Sequence, residues 1–214
     1  MRRFVAAVDG SLRRLGTDYI DLYYAHLDHR TVSLEETLAA FGELIDAGKV
    51  RHIGSSNYAA WRLERARRIG DTKGLPRYCC IQQRHSYLRP RPGTTFGRQL
   101  VADDGLLDYC RENPEVALLA YSPLLSGAFT VPGREFPEQY AGPDTDARLA
   151  ALHAVAAATG ATLNQVVLAW LMAANPRSLP LIAASNDAQL DENLGALEVE
   201  LTPEQLATLD AASG

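Results

Sequence analysis

The chain has 214 residues, 47% apolar and 22% charged, the composition of an ordinary globular domain with enough apolar mass for one large core. Its formal charge is -5, with Lys and Arg interspersed among Asp and Glu, so no basic stripe is available for a phosphate backbone and nucleic acid is not an expected partner. No stretch is long and apolar enough for a bilayer span or a signal h-region, which points to a cytoplasmic protein without a membrane partner.

Taken in chain order, hydrophobic periodicity switches repeatedly between a helical period and short β-rich runs, the alternation of a parallel α/β architecture. A helix is predicted over 2–15, closed by Gly16, and the apolar run Ile20 to Ala25 reads as a buried strand. Ser33, with Glu36 three residues on, forms a capping-box signal for the next helix, and Gly48 closes it before a strand over 50–55. A short helix over 61–69 and a strand over 77–82 follow. The Pro- and Gly-containing segment 88–97 is a loop, and a helix over 99–111 leads to a strand over 116–121.

The connection from Ser126 to Asp144 is long and punctuated by Pro and Gly, of the kind that covers a site. Helices over 146–158 and 163–174, a strand over 179–184 and a helix over 188–197 come next. Thr202, Pro203 and Gln205 then provide cap, first position and capping-box partner for a closing helix. No GxGxxG turn follows any strand, which favours barrel architecture over a dinucleotide-binding sheet.

In a parallel α/β fold, chemistry collects where strands end. The five predicted ends are polar: His26 after the first, Ser55, Ser56 and Asn57 after the second, Gln82, Gln83, Arg84 and His85 after the third, Tyr121 and Ser122 after the fourth, Ser185 and Asn186 after the fifth. A partly desolvated histidine in such a place suits acid-base work near neutral pH, which singles out His26 and, beside Arg84, His85. A structural histidine is the alternative for each. His26 and His29 have His-x-x-His spacing without a second ligand pair, so no metal site is expected. Cys79, Cys80 and Cys110, odd in number and not at metal-ligand spacing, read as reduced core residues. No GxSxG elbow supports a serine hydrolase.

Several blocks, in order, resemble the aldo-keto reductase family: LGTDYIDLYYAH over 15–26, AGKVRHIGSSNY over 47–58, Gln82, and AYSPL over 120–124. The resemblance covers essentially the whole chain. It implies that His26 is the tetrad histidine, which polarises a carbonyl or orients substrate. It puts Ser56, Asn57 and Gln82 on a nicotinamide carboxamide, Tyr121 under the nicotinamide ring, Ser122 and Leu124 along the pyrophosphate, and Glu192 and Asn193 near adenine, with NADP(H) as the cofactor.

Two departures accompany the resemblance. The family's catalytic Asp, Tyr and Lys lie on βα units upstream of the helix at 2–15, and the basic residues that hold an NADP 2'-phosphate are replaced by Ala183, Ala184 and Gln189. The expected fold is therefore an incomplete (β/α)8 barrel of about five βα units, a single domain over 1–214 lacking the first three. Its edges at the first and fifth strands would be covered by a homodimer, by opening of the sheet, or by a separate protein. Three functions follow from the resemblance: NADPH-linked reduction of an aldehyde or ketone, non-redox acid-base chemistry on a carbonyl metabolite through His26 (a dehydratase, isomerase or cyclase), or a non-catalytic nucleotide-binding or regulatory role.

Overall fold

The computed structural model describes residues 2–213, and side chains from residue 6 onward. It separates into two compact units, one built from 1–83 and 103–117, the other from 84–102 and 118–214.

The first unit runs α1 (Arg2–Leu15), β1 (Ile20–Ala25), α2 (Leu34–Asp46), β2 (Val50–Ser56), α3 (Ala60–Lys73) and β3 (Tyr78–Arg84, the last residue belonging to the second unit), with α4 (Asp104–Glu112). Its boundaries follow from local chemistry. The Ser33 hydroxyl accepts from the Glu36 amide at 3.0 Å, the hydroxyl half of the expected capping box, and Gly16, Gly48 and Gly74 turn the chain at positive φ where the first three helices end. The strands are parallel, with Tyr24 opposite Gly54 and Gly54 opposite Cys80; a register irregularity lies at Ile53/Gly54. One sheet face carries Tyr23 and Tyr78, whose rings meet the Phe41 ring of α2 edge-on at 6.3 and 6.1 Å. The other carries Tyr24, Gly54 and Cys80 in one row.

The second unit contains β4 (Ala117–Tyr121), α5 (Pro143–Thr159), α6 (Leu163–Ala173), β5 (Ser178–Pro180), α7 (Asp187–Leu194) and α8 (Pro203–Ala211). Strand β5 runs parallel to β4, with Leu118 opposite Ser178 and Ala120 opposite Pro180. Its core is a cluster that includes Tyr87, Ala120, Tyr140, Leu152, Val166 and Leu209, all buried. Helices α6 and α8 both begin with complete capping boxes, Thr162 with Gln165 and Thr202 with Gln205.

The helices read over 61–69 and 146–158 run longer, as Ala60–Lys73 and Pro143–Thr159, and three further elements differ in their bounds. The helix read from residue 99 starts at Asp104, because Asp103 caps it by accepting from the Leu106 amide at 2.9 Å, while Val101 forms a parallel bridge to Arg84. The strand read over 179–184 is only Ser178–Pro180: the Leu181 amide donates the last bond to β4, to the Ala120 carbonyl at 2.8 Å, and the chain then runs exposed to Asn186. The helix read to Leu197 ends at Leu194 and tightens into a 3-10 turn over Gly195–Glu198. No single helix among the described residues is long and apolar enough to cross a membrane.

Candidate functional site

In the first unit, the polar residues at the ends of the strands converge on Asn57. This residue has φ 59°, a conformation that asparagine tolerates better than most and that a network of bonds holds in place. Its backbone amide donates to the Gln83 side-chain oxygen at 2.8 Å and to the Gln82 carbonyl at 3.3 Å. Its side-chain nitrogen donates to the His26 carbonyl and to the Ser56 hydroxyl, each at 3.1 Å. Ser56 and Asn57 are buried, Gln82 is partly buried and His26 is exposed. His26, Ser56, Asn57 and Gln82 are thus brought together, with His26 held through its backbone and its imidazole left outward.

The loop behind His26 is braced by a bifurcated ion-pair hydrogen bond: the Arg62 Nε lies 3.0 and 3.1 Å from the two oxygens of Asp28, whose side chain is buried. Two further contributors carry no task in the sequence reading. Gln83, 1% exposed, spans Asn57 and Tyr58, its Nε2 donating to the Tyr58 carbonyl at 3.1 Å. Tyr24 receives the Cys80 thiol at 3.8 Å; burial is the main cause of the strong rise in its phenol pKa, so it stays protonated. The signal for Gln83 is the pairing Gln82-Gln83 at a strand end, where alternation sends one side chain to each face.

In the second unit, Ser122, Leu124, Glu192 and Asn193 line one cavity of about 620 Å³ together with Arg134 and Asn164. The loop after β4 approaches it through a strained turn, with Ser122, Leu125 and Ser126 all at positive φ. Asn193 donates to the Ala183 carbonyl at 3.3 Å and Gln165 donates to the Glu192 carbonyl at 3.1 Å, so α7 is fixed from two sides. Arg134, from the Ser126 to Asp144 connection, donates to the Ser126 carbonyl and is the cation among the lining residues. The sequence reading missed it because it lies far along the chain from the last strand.

Tyr121 ends β4 and is partly buried; the Arg84 guanidinium carbon lies 5.7 Å from its ring centre and 4.4 Å from that of Phe96. Burial raises the Tyr121 phenol pKa and Arg84 opposes the rise. His85 donates its amide to the Tyr121 carbonyl at 3.2 Å, while its ring sits 5.9 Å from that of Trp170. Burial first, and Arg89 second, hold its pKa down to about 4. At neutral pH it is an uncharged imidazole, and a weaker base than a solvent-exposed histidine.

A sequence profile of the aldo/keto reductase family matches residues 2–213. The chain belongs to this family. It is 26% identical to versiconal hemiacetal acetate reductase of Aspergillus parasiticus over 98% of its own length and 61% of that protein's. It is 31% identical to the aldo-keto reductase yakc of Schizosaccharomyces pombe, whose name specifies NADP(+), over 92% of this chain and 58% of the relative. Among solved structures it resembles the thermostable aldo-keto reductase Tm1743 in complex with epalrestat, with TM-score 0.75, 32% identity, and coverage of 97% of this chain and 65% of that one. A putative 2,5-diketo-D-gluconic acid reductase B gives TM-score 0.73 at 26% identity, covering 96% and 61%. The chain thus spans under two thirds of the length of each of these relatives.

Proposed function

We propose that this aldo/keto reductase chain carries the cofactor-facing part of an NADPH-linked reductase for a small-molecule aldehyde or ketone, within an (β/α)8 barrel of which it forms about five βα units. The observation that carries the reading is the second-unit cavity. Its volume suits an adenosine-diphosphate moiety, and Ser122, Leu124, Glu192 and Asn193, which the resemblance puts on the cofactor, share its wall with one cation.

When bound, NADPH supplies a hydride to the carbonyl carbon. The chain's residues have separate tasks. Ser56, Asn57 and Gln82 would hold the carboxamide, with Asn57 fixed by Gln83. Tyr121 would offer its ring face, and Arg134 stands where a phosphate would gain a charge partner in place of Ala183, Ala184 and Gln189. His26 would polarise the carbonyl oxygen. The proton for the developing alkoxide belongs to the part of the barrel outside these five units.

A second reading is a dehydratase, isomerase or cyclase that acts on a carbonyl compound through His26, whose backbone carbonyl is held by Asn57; burial makes His85 a weak base and fits it less well to that task. Nucleotide binding without catalysis is the third reading, and it shares the cavity with the first.

We further propose a cytoplasmic homodimer. Leu190 and Leu194 stand 41 and 47% exposed at i and i+4 on α7, and Leu197 stands 66% exposed in the 3-10 turn that follows, apolar surface that a second copy would cover, and the three cysteines are free thiols.

Titration with NADPH, following the fluorescence of Trp61 and Trp170, tests the cofactor reading: saturable binding supports it, and no response at millimolar NADPH removes it. With turnover in hand, His26→Ala should reduce kcat by about 100-fold or more; an unchanged rate takes His26 out of the mechanism. Light scattering tests the dimer, which a monodisperse monomer would refute.

A further inference from the structure

Asn164, near the start of α6, is 5% exposed and lines the same cavity as Glu192, although neither the strand-end pattern nor the resemblance selects it. Its Nδ2 donates to the Thr130 hydroxyl at 2.8 Å and to the Glu192 carboxylate at 3.4 Å. A carboxylate can only accept, so the amide must turn its nitrogen toward Glu192. Its oxygen is then left buried without a hydrogen-bond partner in the protein. A buried unsatisfied carbonyl is unfavourable, and the contact with Glu192, an acceptor only, accounts for the orientation, since the Thr130 hydroxyl could bond either end of the amide. The neighbouring Gln165 fixes the Glu192 backbone at 3.1 Å, and Gly195 leaves it room: a Cβ there would stand 2.4 Å from the Gln165 Nε2.

We infer that Asn164 is a specificity-determining positioning residue: it pins one oxygen of Glu192 so that the other is presented to the cavity as a fixed acceptor, selecting a nucleotide whose base carries an amino group over one that carries a carbonyl. This rests on the proposal that the cavity takes the adenosine end of the cofactor. Without Asn164 the Glu192 side chain is free to rotate away, and the acceptor that distinguishes the two bases is no longer held. Thr130, bonded to the same amide, steadies Asn164 from the loop side.

The test compares binding of NADPH with that of its hypoxanthine analogue, in which oxygen replaces the 6-amino group, in the full chain and in Asn164→Ala. The wild-type chain should bind the amino form about tenfold more tightly, the worth of one hydrogen bond at a desolvated base edge. Asn164→Ala should bring that ratio to about twofold or less, chiefly by weakening the amino form. In a Glu192→Ala background the same substitution should leave the ratio unmoved. Asn164→Ser, which keeps a donor on a smaller side chain, should fall between wild type and Asn164→Ala and serves if the alanine variant does not fold.

Equal affinity of the wild type for both forms overturns the inference and leaves the cofactor reading standing. A substitution that weakens both forms in the same proportion overturns it as well, because Asn164 would then be structural only. Binding of neither form by the wild type overturns the cofactor reading itself, and the inference with it.

Discussion

The guanidinium of Arg84 is held between aromatic rings, 4.4 Å from the centre of Phe96 and 5.7 Å from that of Tyr121, while its Nη2 donates to the Gln99 side chain at 3.0 Å. It also reaches the phenols of Tyr121 and Tyr140, whose raised pKa values it opposes. One side chain at the end of β3 therefore ties the loop at Phe96 and the connection at Tyr140 to the ring that ends β4. Replacing Arg84 with Met keeps a long stem but removes the charge and the donors, and should cost about 1–2 kcal/mol of stability. Lysine should not restore it fully, since a point charge cannot stack and fork at once. Urea denaturation of the three proteins orders them, and equal midpoints would refute the role.

His85 gives a pH dependence with a definite sign. Its pKa is held at about 4 in the folded chain against an ordinary 6.5, so between these values the unfolded chain binds the proton and the folded chain does not. Stability contributed at this position is therefore unaffected above about pH 6.5 and falls as the pH drops toward 4. The loss between pH 7 and pH 5 should be at most about 2 kcal/mol. His85→Gln should flatten the stability profile in that window, measured as denaturant midpoints at the two pH values; an undiminished slope would assign the acid sensitivity elsewhere.

Much of the architecture was readable because local signals agree with it. Gly16 and Gly48, together with the Thr202 capping box, set boundaries that the structure keeps within a residue or two, and β1 begins and ends where its apolar run does. The misses share one cause: a partner distant in sequence decides them. Residues 99–101 have a helical pattern, yet Arg84 draws them into a bridge, and the β5 ladder ends with the bond of Leu181 to the Ala120 carbonyl of β4. At the site, the strand-end rule found His26, Ser56, Asn57, Gln82 and Gln83. The tasks of Gln83, Tyr24 and Asn164 depend on contacts that exist only once register and helix packing are set. Arg134 sits in an irregular connection where no periodicity marks it.

The row Tyr24, Gly54, Cys80 shows how tightly that register constrains one residue. A Cβ at Gly54 would lie 2.5 Å from the Cys80 sulfur and 2.7 Å from the Tyr24 ring. Gly54→Ala should thus destabilise the chain by about 2–3 kcal/mol, because both neighbours must move and the sheet fixes their backbones. Cys80→Ala in the same chain should recover only part of the loss, since the ring contact remains. Denaturant midpoints for the single and double variants decide this. Full recovery would mean that the thiol alone fills the space over Gly54.

Arg148 presents a sharper comparison. Its side chain is 1% exposed in the core of the second unit, with Nε 3.1 Å from Asp144, Nη1 donating to the Tyr87 carbonyl at 3.2 Å, and Nη2 buried without a partner. The Asp144 side chain is 36% exposed, so it supplies charge without itself being strongly desolvated. Removing the carboxylate leaves a buried guanidinium with one neutral acceptor and a ring, whereas removing the guanidinium leaves a carboxylate that water can reach. Asp144→Ala should consequently cost more than Arg148→Met. The expected losses are about 3 kcal/mol for the first and 1 kcal/mol or less for the second, since methionine fills the channel and removes the unpartnered nitrogen. Asp144 also lies in the first turn of α5, where a carboxylate contributes a few tenths of a kcal/mol through the helix dipole, too little to produce the ordering by itself. If Arg148→Met is the more damaging of the two in thermal or urea unfolding, the guanidinium is held for its contacts to Tyr87, and the unpartnered nitrogen is a tolerated by-product of that packing.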